Sequence, residues 1–203
     1  MSELGLFPLP LVLLPTERVP LHIFEERYRE LIGECLDSGV EFGLVYADDD
    51  GMRDVGTRAR VTEVLARMAD GRMDILVEGG DRFRLVELTT GRSFHTGEVS
   101  PVEDEVDPAR PESIERALGL FNRLRELAGS DVDVPEADAA QLSFVLAGRV
   151  KFPHDDKLEL LRDVSERNRM DRVCDLLENA MASAQRVRAA AERAATNGQV
   201  HLG

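Results

Sequence analysis

The sequence predicts an α+β chain. A small, partly closed β-barrel holding one inserted helix comes first, and a helical bundle ending in a long helix follows. Three observations carry this. Short β-type runs alternate with turn signals through the first half. Helical periodicity takes over in the second. Between them Glu103-Asp104-Glu105-Val106-Asp107-Pro108-Ala109-Arg110-Pro111 is acidic and punctuated by proline, as exposed connections tend to be. The expected division is 1–107 and 108–203. A chain of 203 residues suits one domain or two small ones and can bury a core without metal or disulfide staples.

Each element has its own signal. Leu6–Leu14 reads as a buried strand. Phe24, Tyr28, Leu31, Ile32, Cys35 and Leu36 share one helix face against Glu25, Glu26, Arg29 and Glu30, and Gly39 stops that helix. Phe42–Ala47 is a second strand, closed by an Asp50-Gly51 turn. Val55–Met68 resumes β character and meets Met73–Glu78 across an Asp70-Gly71 hairpin. Gly79-Gly80-Asp81 turns into a further strand, Arg82–Leu88, and Phe94–Val102 is the last.

The helical half opens with Ile114, Ala117, Leu118, Phe121 and Leu124 on one stripe, stopped at Gly129. Asp133 with Glu136 resembles a capping box, opening a helix through Leu142, Val145 and Leu146. Asp155–Val164 is a short helix. Ser165 can cap the longest, about Glu166–Ala195, whose Ala/Arg-rich end is expected to project or to pair with a second copy. A frayed tail is expected from Thr196 to Gly203.

The net charge of −14 repels polyanions, and no basic patch offsets it. No nucleic-acid partner is therefore expected. The two cysteines, Cys35 and Cys174, lie at apolar helix positions, which fits reduced core thiols. The apolar N-terminus is too short to span a bilayer and is broken by Pro8, Pro10 and Pro15. The expected location is the cytoplasm, with no membrane partner.

Chemistry-bearing motifs are few. The sequence has no GxxxxGK[ST] phosphate loop, no GxGxxG fingerprint and no GxSxG elbow. His22, His95, His154 and His201 form no ligand cluster, and Asp48-Asp49-Asp50-Gly51 lacks the other ligands of a calcium loop. No catalytic residue, metal or cofactor is expected. With no Trp, a base-stacking surface has little support.

One stretch carries a resemblance. Phe7-Pro8-Leu9-Pro10-Leu11-Val12-Leu13-Leu14-Pro15, then Pro20-Leu21-His22-Ile23-Phe24-Glu25-Glu26-Arg27-Tyr28, resembles the opening of the N-terminal domain of Lon proteases. Val55-Gly56-Thr57, the Asp70-Gly71-Arg72 hairpin and Val77-Glu78-Gly79 with Arg82-Phe83 are similar to later parts of that domain. Lys157, Leu160-Leu161 and the following Arg167 or Arg169 match more loosely.

The resemblance implies a PUA-like barrel and a substrate-recognition role. Lon proteases continue into an ATPase module and a Ser–Lys peptidase domain. This sequence stops after the long helix, so no unfolding or proteolysis is implied. Cereblon-like proteins share the domain but add a Trp-caged ligand module, which is absent here. What remains is engagement of polypeptide clients or of a protein partner. RNA binding is the rival, since PUA-like barrels also serve RNA-modifying proteins.

Most of the motif has architectural reasons. Pro20 keeps its predecessor extended before the helix. Phe24 and Tyr28 are expected to point together into the barrel side, so Phe24→Ala should cost about 3–5 kcal/mol. Gly56 and Gly79 are expected where strands turn. Leu21, Ile23, Glu25, Arg27 and Phe83 complete this mainly structural set. The binding candidates are Leu11, Val12, His22 and Arg82, in a cleft between barrel and bundle.

Overall fold

The computed structural model describes residues 2–136, 138–139 and 141–197. The β-rich half holds β1 (Ser2–Leu9), β2 (Arg18–Ile23), α1 (Glu26–Ser38), β3 (Phe42–Asp48), β4 (Gly51–Arg67), β5 (Met73–Thr89) and β6 (His95–Pro101). The helical half holds α2 (Pro111–Ala128), α3 (Leu142–Gly148), α4 (His154–Arg162) and α5 (Glu166–Asn197). A mixed α+β fold is what the patterning predicts.

Hydrogen bonding runs β5-β4-β3-β1-β6 and returns to β5. Only β1 and β3 pair in parallel. The return is possible because β5 is long: its first half pairs with β2, its second half with β6, and β4 lies beside both. The circuit leaves two sheet edges among the described residues, β2 and the part of β4 beyond Ala59, where β3 stops. Both are blunted. Pro20 removes a donor in the middle of β2, and register shifts at 61–63 and 64–66 break the end of β4.

Three apolar clusters hold the chain. Tyr28, Leu31, Ile32 and Cys35 of α1 cover Leu21, Ile23, Met73, Ile75 and Val77. Leu4, Leu6, Val45, Phe83 and Val99 form a second. The third belongs to the helices, yet it takes in Val12, Leu14 and Val55 from the β half. α5 packs along α2 through Met170, Val173 and Leu177 and then runs on, leaving Val187 exposed. Ser165 Oγ accepts the Asn168 N–H at 3.1 Å, the cap the sequence predicts.

Five expectations need correction. The strand predicted to reach Leu14 ends at Leu9. Pro10 and Pro15 bracket a buried irregular segment, and the Leu13 carbonyl takes its hydrogen bond from Thr57 Oγ1 at 2.6 Å instead of from a ladder. β2 was not predicted, because Pro20 obscures the alternation of buried Leu21 and Ile23 with exposed Pro20 and His22.

Gly79 is not at a turn: β5 runs straight through it. A Cβ there would strike the Leu14 carbonyl, so the glycine permits close approach of the 11–17 segment. Gly56 likewise lies inside β4, with its Cβ position 2.6 Å from the Leu44 carbonyl oxygen. The helix expected from Asp133 begins only at Leu142. Arg125 and Arg149 donate to the carbonyls of Val132 and Asp133 and hold that segment extended.

Phe24 is the largest departure. α1 starts at Glu26, and Phe24 stands before it, 59% exposed. Tyr28 takes the core place instead, stacked on Phe7 with ring centroids 4.1 Å apart. The predicted tail is helical at Thr196 and Asn197, and residues 198–203 lie outside the described residues.

Candidate functional site

Two places gather the motif residues. The first is the junction between the halves. Arg82, on β5, is 4% exposed. It donates to the carbonyls of Leu161 at 2.8 Å and Asp163 at 2.7 Å, and it pairs with Asp104. Arg169, fully buried on α5, grips the same Asp104 through Nη1 at 2.7 Å and Nη2 at 2.5 Å and reaches Glu166 at 2.6 Å. The Phe144 ring lies against both guanidinium groups, 5.3 Å from Arg82 and 4.4 Å from Arg169.

The two arginines respond oppositely to one environment. Burial pushes Arg82 below its usual range, against the pull of Asp104. Burial opposes Arg169 too, but its hydrogen bonds to Asp104 and the charge of Glu166 outweigh this and hold it above. Arg169 has two carboxylates and Arg82 one, which accounts for the difference. Both stay charged at any working pH.

A second buried pair lies nearby. Lys157 Nζ is 2.5 Å from Glu17, which also accepts the Leu14 N–H at 2.9 Å. Thr16, between them in the chain, is forced to φ +67°, a strained angle for a β-branched residue. Its N–H bonds the Gly79 carbonyl, and Gly79 N–H bonds the Glu17 carbonyl. Beside this knot a polar cavity of 550 Å³ opens between the halves, lined by Thr16, Arg18, Glu78, Val145 and Arg149 among others.

The second place is the outer face of the β2–β5–β4 extension. Residues in register share a face, so Arg18, Pro20 and His22 stand beside Glu78, Leu76 and Asp74. Their neighbours Val19, Leu21 and Ile23 turn inward, toward α1. Arg18 and Arg60 both pair with Glu78. His22 Nδ1 meets Asp74 Oδ1 at 2.6 Å, and its ring stacks on Phe24, 5.9 Å away and tilted by 20°. A carboxylate thus fixes a histidine, and the histidine supports an exposed phenyl ring.

Of the four binding candidates, His22 stands on this face. Val12 is 1% exposed within the helical core, Leu11 is half-buried against the α1 core, and Arg82 is enclosed by the junction network. Glu25 pairs with Arg27 at 2.8 Å beside Phe24. Asp74 and Leu76 went unnoticed in the sequence. The alternation of Met73–Glu78 would have shown them, once β2 was known to lie alongside.

Against this geometry, the comparisons decide the family. A sequence profile of the ATP-dependent protease La (LON) substrate-binding domain matches residues 3–179. The chain belongs to the Lon substrate-binding domain family.

Lon protease 2 of Myxococcus xanthus is 29% identical over 187 residues, covering 82% of this chain and 22% of the relative. Lon protease of Anaeromyxobacter dehalogenans is 27% identical over 185 residues, again covering 82% and 22%. The chain therefore spans about a fifth of the length of these Lon proteases.

The crystal structure of a Lon N-terminal domain protein from Xanthomonas campestris superimposes with a TM-score of 0.69 at 28% identity, covering 85% of this chain and 97% of that one. The N-terminal domain of a Mycobacterium avium complex Lon protease has the same fold, with a TM-score of 0.68 at 19% identity. No helix among the described residues is long and apolar enough to cross a membrane. Likewise, no group of three or more acid, His or Cys side chains among them could hold a metal ion.

Proposed function

We propose that this Lon-type domain binds unfolded polypeptide segments without chemistry of its own, through the outer face of β2–β5–β4. The observation that carries this is Phe24, a large aromatic side chain left exposed and held in place by His22 and Asp74. Pro20 and Leu76 extend the apolar strip along the sheet. Exposed core segments are what distinguish an unfolded client, and such a strip offers them apolar and stacking surface. Family membership supports the substrate-binding role. The closed strand circuit is read as a small PUA-like barrel and the helical half as its companion bundle.

The test is titration of a labelled, permanently unfolded polypeptide into the full chain. A Kd between about 1 μM and 1 mM is expected, weak enough for release. Phe24→Ala should weaken it about fivefold or more, as a truncated aromatic anchor does. The net charge of −14 should favour clients with Arg or Lys beside their apolar segments, most visibly at low salt. Absence of binding by the parent chain overturns the proposal. Tight, salt-sensitive binding of RNA in its place would establish the nucleic-acid reading. The purified chain is expected neither to hydrolyse ATP nor to cleave denatured protein.

A further inference from the structure

A separate groove lies on the helical half, far in sequence from the sheet face. It has a volume of 290 Å³ and lies between the end of α2, the middle of α5 and the segments at 130–132 and 149–151. Its walls are apolar: Phe121, Leu124, Ala128, Val132, Val150 and Ala180. Its rim is cationic, with Arg125, Arg149 and Lys151. These three stand out in a chain of net charge −14. Fifteen arginines and Lys157 pair with carboxylates elsewhere, whereas none of these three does. Arg125 also keeps its Nε buried without a hydrogen-bond partner.

The chain itself shows what such a rim holds. Asp131-Val132-Asp133-Val134 lies extended along one wall. Arg125 and Arg149 donate to its carbonyls at Val132 and Asp133, while Val132 lines the groove. Its carboxylates form no ion pair with the three cations, and Val132 and Val134 remain partly exposed. The wall is thus occupied but the groove is not filled. Lys151, the buried Nε of Arg125 and the remaining nitrogens of Arg149 still face it without an acid.

We propose that this groove docks an extended acidic segment of a partner protein, one that alternates small apolar residues with Asp or Glu as residues 131–134 do. Its apolar side chains enter between Leu124, Val150 and Ala180, and its carboxylates meet Lys151 and Arg149. Charge complementarity selects this occupant: a basic segment would meet three cations, and a purely apolar one would leave them unanswered. The site is distinct from the Phe24 face.

The experiment uses the full chain and a labelled peptide copying residues 130–136, followed by fluorescence anisotropy. A control peptide carries lysine in place of its three acids. Saturable binding of the acidic peptide is expected, weakening as salt rises. Lys151→Glu and Ala128→Glu, both at exposed positions, should each reduce the affinity about tenfold while leaving the melting temperature in place. Phe24→Ala should leave it unchanged, which separates this site from the client-binding face. No saturable binding up to about millimolar peptide, equal binding of the lysine control, or a loss caused by Phe24→Ala would each overturn the proposal.

Discussion

The two ends of β5 invite comparison. Near its start, Asp74 accepts a hydrogen bond from an exposed histidine and Leu76 lies on an open face. Past its middle, Arg82 is enclosed and donates across to the helical half. The same strand, with the same alternation, serves recognition surface at one end and fastening at the other. What differs is the layer above. The 11–17 segment and α3 to α5 cover one end, whereas nothing among the described residues covers the outer face at the other. Burial therefore depends on what the chain folds over each end, which local pattern cannot reveal.

The sharpest way to break this comparison is at the covered end. Arg169→Met removes a fully buried cation and leaves Asp104 and Glu166 facing each other without it. Breaking one side of such a network should cost about 3–5 kcal/mol, measured by urea unfolding. The transition should stay single, because Val12, Leu14 and Val55 of the β half sit in the helical core. Two separated transitions would show that 1–107 and 108–203 fold as independent units.

A smaller effect is expected at Gly79. Gly79→Ala drives a methyl group into the Leu14 carbonyl, which Thr16 and Glu17 hold in place through their bonds to the same glycine. A cost of about 1–3 kcal/mol is expected from overpacking. The same change at Gly33 meets no atom within 4 Å and provides the control. Equal melting shifts for the two variants would mean that close approach is not why glycine stands at 79.

These two sites mark where the sequence was legible. The element types, the Gly39 and Gly129 helix stops and the Ser165 cap could be read because each depends on a few neighbouring residues. The Gly79 approach could not, since the atom it avoids is 65 positions away. Arg82 was singled out with the correct strand, but its partners Asp104, Leu161 and Asp163 come from a linker and another helix. The site residue His22 was found through its motif. Its supports, Asp74 and the exposed Phe24, depended on a strand that Pro20 concealed.

The α2–α5 contact offers a titratable test of intermediate size. Asp171 accepts hydrogen bonds from Ser113 at 2.6 Å and from Arg110, and these hold its carboxyl below the usual range. A folded-state pKa lower than the unfolded one means that the unfolded chain binds more protons. Stability from this group is therefore present above the unfolded value of about 3.9 and is lost as pH falls through the folded value. Because the carboxylate is partly exposed, Ser113→Ala should cost only about 0.5–1 kcal/mol at neutral pH. The gap between the melting temperatures of parent and variant should close in the acid limb. A gap that persists there would assign the loss to packing, not to the charge.

The smallest stability effect belongs to the exposed end of β5, and it bears on function most directly. The helical spacing of Phe24 and Tyr28 predicts a shared core face and a large cost for Phe24→Ala. In the folded chain α1 begins after Phe24, Tyr28 alone enters the core, and the Phe24 ring touches chiefly the His22 imidazole. Truncation should then change unfolding free energy by about 0.5 kcal/mol or less, as at other exposed positions. Tyr28→Ala, which removes a buried ring stacked on Phe7, should cost about 3–5 kcal/mol. Measured together by urea unfolding, the two variants separate the readings: a large loss for Phe24→Ala would return that ring to the core and remove the reason to place client binding on this face. A small loss combined with weakened binding of an unfolded polypeptide would show an aromatic side chain kept at the surface for contact, since its burial contributes so little to the fold.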